Sequence, residues 1–421
     1  LTWPDSVSSK NFCAMSKTLK PQIRFKGYDG EWTTKSLSEP EFNIQAGGDV
    51  DKTLLHTSGE YPVIANALTN DGILGYYDEI YRIKAPAISV TGRGDVGIAI
   101  PRRINFTPVV RLLALTSPHD IDFLSCAINL HPTVLESTGV PQLTVPKLQS
   151  YSINFPEKKE QKEIGQYFKL INTQIKEAER EVDRLEKMKI ASLQKMFPRP
   201  GATTPEIRFA GFSEPWKTMT FKDVYSSLKN NTLSRDCLNY NGGIAKNIHY
   251  GDVLTKFGAY VNPLSVDVPF VNFNVGIELS SAYKLADGDV IFADTAEDEA
   301  VGKCTEIRGV NDSNVLSGLH TIAVRPNFKF APFYLGYYHN SNAYHSQLLP
   351  LMQGVKVLSI NRTAISETMV AFPSSLDEQR AIGEYFRNLD ELIAAKRKSI
   401  VKLRNIKKAC LSKMFVNDTE L

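Results

Sequence analysis

Along residues 164–185, apolar side chains recur at alternating steps of four and three: Ile164, Phe168, Ile171, Ile175, Ala178, Val182 and Leu185. This spacing lays a narrow apolar stripe along a helix, the pattern of a seam between packed helices. The stripe returns at Ile382, Phe386, Leu389, Ile393, Lys396, Ile400 and Leu403. Its polar member, Lys396, stands where the first copy has Ala178. Lys396 reads either as a seam residue that fixes register or orientation, or as an exposed lysine whose stem lies over a frayed seam. A Phe-Pro pair precedes each stripe, Phe155-Pro156 and Phe372-Pro373, and suits the entry to a helix. Each predicted helix, of roughly forty residues, extends on the order of 50 Å. Two such helices in one chain pack most simply on each other, here as an antiparallel coiled coil.

The stripes belong to a larger repeat, which fixes the architecture. Glu160-Gln161-Lys-Glu-Ile164-Gly165-Gln-Tyr167-Phe168 recurs as Glu378-Gln379-Arg-Ala-Ile382-Gly383-Glu-Tyr385-Phe386, and the copies stay in register to Lys195-Met196-Phe197 and Lys413-Met414-Phe415. A second motif precedes each helix by a domain length. Pro21, Ile23, Arg24, Phe25, Gly27 and Trp32 are matched by Pro205, Ile207, Arg208, Phe209, Gly211 and Trp216. Just before the helices, Gly139-Val140 with Leu143 and Val145 matches Gly354-Val355 with Leu358 and Ile360, whereas the interiors diverge. Similar frames around dissimilar interiors indicate two modules doing one kind of job on different targets. The expected order is an extension at 1–14, a globular domain at 15–154, a helical spacer at 155–200, a second globular domain at 201–371 and a second spacer at 372–421. The globular parts read as mixed α/β (α+β) with short strands, among them Ala87–Val90 and Asp289–Phe292, and a helix near Phe333–Tyr338. The whole is expected to carry an internal pseudo-two-fold repeat.

At 421 residues the chain exceeds the roughly 250 at which single cores stop growing, in keeping with the duplication. Its 42% hydrophobic and 23% charged residues are globular composition. No apolar run reaches the roughly 18 residues of a membrane span, and no signal-peptide layout opens the chain, so a cytoplasmic protein is expected. Met15 opens a stretch that looks like a natural start. Cys13, Cys126, Cys237, Cys304 and Cys410 are scattered without a zinc or disulfide pattern. A net charge of +3 does not by itself announce a nucleic-acid binder. The basic residues concentrate in the second helix, from Arg380 through Lys396, Arg397 and Lys398 to Lys413.

The search for catalytic chemistry ends without a constellation. Gly92-Arg93-Gly94-Asp95-Val96-Gly97 has the glycine spacing of a dinucleotide or S-adenosylmethionine loop, yet such a loop must open a helix, and here Ile98 to Pro101 reads as a strand. The expected form is a tight turn with Arg93 at its tip. Asn262-Pro263 reads as a turn. Asp294, Glu297, Asp298 and Glu299, near Lys303, read as a solvated acidic loop rather than a nuclease metal site. His56, His119, His131, His249, His320, His339 and His345 show no metal spacing. Neither a metal nor any other cofactor is expected. Recognition chemistry remains: Arg82, Lys84, Arg93, Arg102, Arg103 and Arg111 fall in a stretch whose acid is Asp95, and arginine suits both phosphate contacts and the reading of guanine. Lys246, Lys256, Lys303 and Arg308, with His249 nearby, are the more dispersed candidates in the second globular part.

Two divergent domains, each followed by a long helix introduced by Phe-Pro and Glu-Gln-x-x-Ile-Gly-x-Tyr-Phe, resemble the specificity subunit of type I restriction-modification systems. The resemblance covers residues 15–421 and includes Gly59–Val63, Asn70–Tyr76 and Asp287–Phe292, which are similar to stretches of target-recognition domains. It implies a DNA-binding subunit without catalysis of its own, each domain reading one half of a split sequence in double-stranded DNA while the helices set the spacing. It also implies two methyltransferase subunits docked on the chain and a restriction subunit that translocates DNA. Tyr167, Met196, Tyr385 and Met414 are the candidate docking residues. The other readings are a decoy or scaffold subunit that assembles without directing modification, and a single-chain nuclease or methyltransferase, which would need an intact metal site or cofactor loop.

Overall fold

A computed structural model describes residues 19–132, 141–277, 279–280, 284–311 and 313–416. The expected extension at 1–14 and the pair Gly139-Val140 lie outside these residues. Contacts divide the chain into two compact units, one running to Glu179 and resuming at Lys398, the other formed by Arg180–Arg397.

The first unit opens with β1 (Thr33–Ser36), β2 (Asn43–Ala46), β3 (Tyr61–Ile64), β4 (Ile73–Tyr77), β5 (Ala87–Val90), β6 (Ala99–Arg102), β7 (Thr107–Pro108) and β8 (Leu113–Thr116). Next come α1 (Ile121–Leu130), α2 (Val145–Gln149), β9 (Ser152–Phe155) and the long helix α3 (Lys158–Lys195), of which the part up to Glu179 belongs here. One sheet has the order β2-β8-β5-β6, another β4-β3-β7, and β1 pairs with β9. All of β5 is buried, so the expected strand Ala87–Val90 is central. Asp120 caps α1 by accepting from the Asp122 and Phe123 amides, which satisfies donors that a helix start leaves open.

The second unit contains β10 (Lys217–Thr220), α4 (Phe221–Val224), β11 (Tyr225–Ser227), β12 (Leu238–Asn239), β13 (Lys246–Ile248), α5 (Tyr250–Thr255), β14 (Tyr260–Val261), β15 (Phe270–Val271), β16 (Val290–Ala293), β17 (Thr295–Ala296), β18 (Cys304–Ile307), β19 (Val315–Ser317) and β20 (Thr321–Pro326). It closes with α6 (Tyr334–His339), α7 (Asn342–His345), β21 (Leu358–Ser359), α8 (Arg362–Ser366), β22 (Met369–Phe372) and α9 (Leu376–Met414), whose residues from Lys398 belong to the first unit. The topology repeats that of the first unit. The sheet β11-β20-β16-β18-β14 corresponds to β2-β8-β5-β6 with one strand added, β10 pairs with β22 as β1 does with β9, and β13 runs parallel to β19 as β3 does to β7. The expected helix near Phe333 begins one residue later, because Phe333 has a left-handed φ of 71° and stands at the N-cap.

Within each unit the two long helices contribute segments that run in opposite directions. In the first, Tyr167 Oη lies 3.3 Å from Cys410 Sγ, and Glu179 accepts from Arg404 at 2.6 Å. In the second, Glu186 meets Arg397, Lys189 meets Asp390, and Ser192 Oγ lies 3.0 Å from Tyr385 Oη. The apolar stripe is buried as its period requires, with Ile164, Phe168, Ile171, Ile382, Phe386 and Leu389 at 5% exposure or less. Burying each such side chain contributes about 1.5–3 kcal/mol. Lys396 is half-buried and interacts with the Glu181 carboxylate.

Candidate nucleic-acid interface

The repeated motifs attach each globular body to its helices. Arg24 forms two hydrogen bonds to Glu160, at 2.6 and 2.7 Å, and Arg208 forms two to Glu378, at 2.6 and 2.8 Å. Both glutamates are buried, so the bidentate arginine compensates a charge that would otherwise be costly inside the protein. The adjoining glutamines bridge as well: Gln161 donates to Pro156 O and Gln379 to Pro373 O, each at 2.8 Å. Gly165 lies so close to the Asp120 cap, and Gly383 to the Pro332 carbonyl, that a Cβ at either position would collide. At the other end of each helix, the Ile23 amide donates to Lys413 O and the Ile207 amide to Lys195 O, each at 2.9 Å. Both frame motifs therefore serve one junction, which holds the variable loops on a fixed base.

The same junctions account for the candidate docking residues. Met196 and Met414 are each 5% exposed, the first in the core with Trp216 and Phe386, the second in the core with Trp32 and Phe168. Their expected place on a docking surface is corrected accordingly: each side chain closes the core at a helix end. Tyr167 and Tyr385 are half-buried, their rings edge-on to Phe25 and Phe209. Leu170, Ile190, Leu392 and Val401 leave far more apolar surface on the helices.

Among the candidate DNA-reading cations, the fold separates engaged side chains from free ones. Arg102 donates to Ser89 Oγ and to Asp71 O, both at 2.8 Å, and Arg103 is paired with Asp122. In the second unit, Lys246 donates to Pro263 O at 2.6 Å and Lys303 to Leu254 O at 2.7 Å. Lys256 is bound to Asp267 and lies over the Tyr240 ring. Arg308 lies over the Phe333 ring and 3.6 Å from Glu306. Lys84 and Arg93 are exposed and have no hydrogen-bond or ion-pair partner among the described residues. Arg93 sits in the β5–β6 turn, where Gly94 and Gly97 take the left-handed region. The glycine run thus joins two strands, as expected, and does not open a helix.

Arg111 is brought to this turn by β8, the neighbour of β5 in the sheet. Its carbonyl packs against Gly92 so closely that a Cβ there would overlap it, and Asn66 ties the two segments by accepting from the Gly92 amide (2.9 Å) and donating to Val110 O (3.0 Å). The backbone of Arg111 is thereby held against Gly92, the residue that precedes Arg93. The corresponding β16–β18 turn in the second unit carries the acidic run: Glu297, Asp298 and Glu299 are exposed, Asp298 accepting from the Ala300 amide, and Asp294 lies 3.3 Å from His320. Among the described residues no cluster has the make-up of a metal site.

Beside Arg308, the Glu306 carboxylate accepts from the Phe333 and Gly336 amides at 2.8 and 3.0 Å, capping α6 from a neighbouring strand. Burial pushes Glu306 up to about 7 from an ordinary 4.5, despite Arg308 and these amides. A carboxyl raised in the folded state contributes stability that is fully present below its unfolded value and lost as pH rises through the folded one. Unfolding free energy is therefore expected to fall across that window, and Glu306→Gln, which keeps an acceptor, to flatten the profile. Urea titrations of wild type and variant between about pH 5 and pH 8 measure the difference; parallel profiles would refute the assignment.

Two frame-matched bodies with different loops, borne on paired helix segments, make the chain an internal duplication. The profile of the type I restriction modification DNA specificity domain matches residues 30–186 and again residues 213–405. The chain belongs to that family, in agreement with the resemblance read from its repeated motifs. It is 25% identical over 211 residues to a protein named as the MjaX type I restriction enzyme specificity subunit of Methanocaldococcus jannaschii, a match that takes in 48% of this chain and 46% of the relative. It is 30% identical over 91 residues to a protein of Mycoplasma pneumoniae named as the C-terminus of a type I specificity protein, covering 21% of this chain and 63% of the relative. The chain thus matches less than two thirds of either relative's own length. Among solved structures, the S subunit of a type I restriction-modification system from M. genitalium has the same fold, with a TM-score of 0.62 over 95% of this chain and 100% of that one, at 14% identity.

Proposed function

We propose that this chain binds double-stranded DNA as the specificity subunit of a type I restriction-modification enzyme, each globular body reading one half of a bipartite target. The observation that carries this reading is the conjunction of a repeated frame with unlike turns at the same place in each sheet, basic at Arg93 and acidic at Asp294–Glu299. Shared frames attach each body to its own helix segments by the same contacts; unlike turns give them different targets. The helices pack as an antiparallel coiled coil with pseudo-two-fold character and set the half-site spacing. Two methyltransferase subunits dock on exposed helical surface such as Leu170 and Leu392, and methylation and cleavage belong to them and to a translocating restriction subunit. The chain works in the cytoplasm; no described helix is long and apolar enough to cross a membrane.

Genome-wide mapping of N6-methyladenine tests the proposal, comparing cells that carry this chain and its methyltransferase with cells that carry the methyltransferase alone. A split motif that depends on the chain is the expected result. A stable complex without any new motif would instead mark a scaffold or decoy subunit. Arg93→Ala is expected to weaken binding of the complex to its specific site by about 1–3 kcal/mol. In a salt titration, loss confined to one target position identifies a base contact, and uniform loss with a shallower salt dependence identifies a phosphate contact; unchanged binding removes Arg93 from the interface.

A further inference from the structure

The turn after β7 and the turn after β19 can be aligned residue by residue from their hydrogen bonds. The Val109 amide donates to Ile64 O at the end of β3 (2.9 Å), and the Gly318 amide donates to Ile248 O at the end of β13 (2.8 Å). One residue on, Val110 O accepts from Asn66 Nδ2, and Leu319 O accepts from the Tyr250 amide. At the next residue, Arg111 O packs against Gly92, and His320 O accepts from the Asp294 amide at 3.1 Å. Gly92 and Asp294 correspond in turn, each lying two residues beyond a strand residue, Val90 or Phe292, that faces Leu113 or Ile322. Arg111 and His320 are therefore the same position of the duplicated fold.

Both residues hold a left-handed backbone, with φ of 71° and 54°, a conformation that suits glycine and disfavours residues that carry a Cβ. The other described non-glycine residues in this region have local reasons to be there. Asn70, Asp71 and Asn311 are of the types that tolerate it, as histidine is, and Phe333 is held at the N-cap of α6 by Glu306. The backbone does not select arginine at 111, and at 320 it would accept asparagine, aspartate or glycine as readily as histidine. Two units whose interiors have otherwise diverged both place a nitrogen-bearing side chain there, and both place it beside the hairpin turn. The Arg111 backbone is held against Gly92, while the His320 side chain, 48% exposed, has Nδ1 3.3 Å from Asp294 Oδ1 and the Tyr250 ring edge-on at 5.3 Å.

We propose that Arg111 and His320 occupy one base-reading position, duplicated with the fold, each contacting the major groove of its own half-site. This rests on the reading of the chain as a DNA-specificity subunit. The chemistry differs between the copies. Arg111 offers two donors, which match O6 and N7 of guanine; with Nδ1 turned to Asp294, His320 as imidazolium offers an Nε2–H donor beside the carboxylate acceptor, which matches N7 and N6 of adenine.

The test uses the full chain with its methyltransferase and the variants Arg111→Gly and His320→Gly. Glycine removes the side chain while relieving the left-handed backbone, so the melting temperature is expected to hold or rise. Methylation of sites mismatched at one base is expected to increase about ten-fold or more, at a guanine in one half for Arg111→Gly and at an adenine in the other half for His320→Gly. Each half not addressed by a variant serves as its internal control. An unchanged motif in either variant overturns the proposal, as does relaxation at another base, or loss of methylation with a lowered melting temperature. A wild-type chain that directs no split motif overturns the underlying reading as well, and so is distinguished from these outcomes.

Discussion

Arg208→Ala is expected to lower the stability of the second unit by about 3–5 kcal/mol, because it strands the Glu378 carboxylate in the interior. The loss exceeds that of an ordinary surface ion pair, which is worth about 1 kcal/mol or less, since Glu378 is only 1% exposed and also accepts from Trp216 Nε1 at 3.2 Å. Replacing both partners at once, as Arg208→Met with Glu378→Leu, is expected to recover most of that stability. An apolar pair leaves no charge to desolvate, and buried ion pairs are often replaced in this way at little cost. Urea unfolding of the two variants distinguishes the cases. A single variant as stable as wild type would mean that the carboxylate finds water or another donor.

Phe197→Ala is expected to cost about 3–5 kcal/mol through the cavity it leaves. Phe197 is 1% exposed. Its ring stacks on Phe386 at 5.8 Å and meets Trp216 and Tyr338 edge-on, so the hole would be lined by large side chains that cannot close it without leaving their own contacts. Phe197→Leu retains most of the volume and should cost markedly less. Equal losses for the two variants, measured by thermal unfolding, would show that ring shape rather than volume is what the site requires.

The helices were legible in the sequence because their signal is periodic and local: steps of three and four, a Phe-Pro entry and a Lys-Met-Phe close. The family was legible because the motifs repeat in order. The work of individual motif residues was not. Glu160 reads as an acid near a helix start, and its partner Arg24 lies 136 positions away. Arg102 and Arg103 looked as available as Arg93 until the fold supplied Ser89, Asp71 and Asp122 as their partners. Met196 and Met414 looked like candidates for a surface because a linear motif does not reveal which side of a helix end becomes a core. His320 gave no signal at all. It is one histidine among seven, in a turn whose sequence shares nothing with Val109–Leu112, and its equivalence to Arg111 emerges only from strand register.

The first unit is closed by residues far down the chain. Its core places Phe415 against Trp32, Phe123 and Phe168, whereas the second unit is drawn from the continuous stretch Arg180–Arg397. On a ribosome the body made first must therefore wait for the body made second, an interval on the order of tens of seconds at about 5–20 residues per second. Until then Trp32, Phe123 and Phe168 lack the Phe415 ring that packs on them. A product that ends anywhere before Phe415 lacks the ring that closes the core of the first unit on Trp32, Phe123 and Phe168.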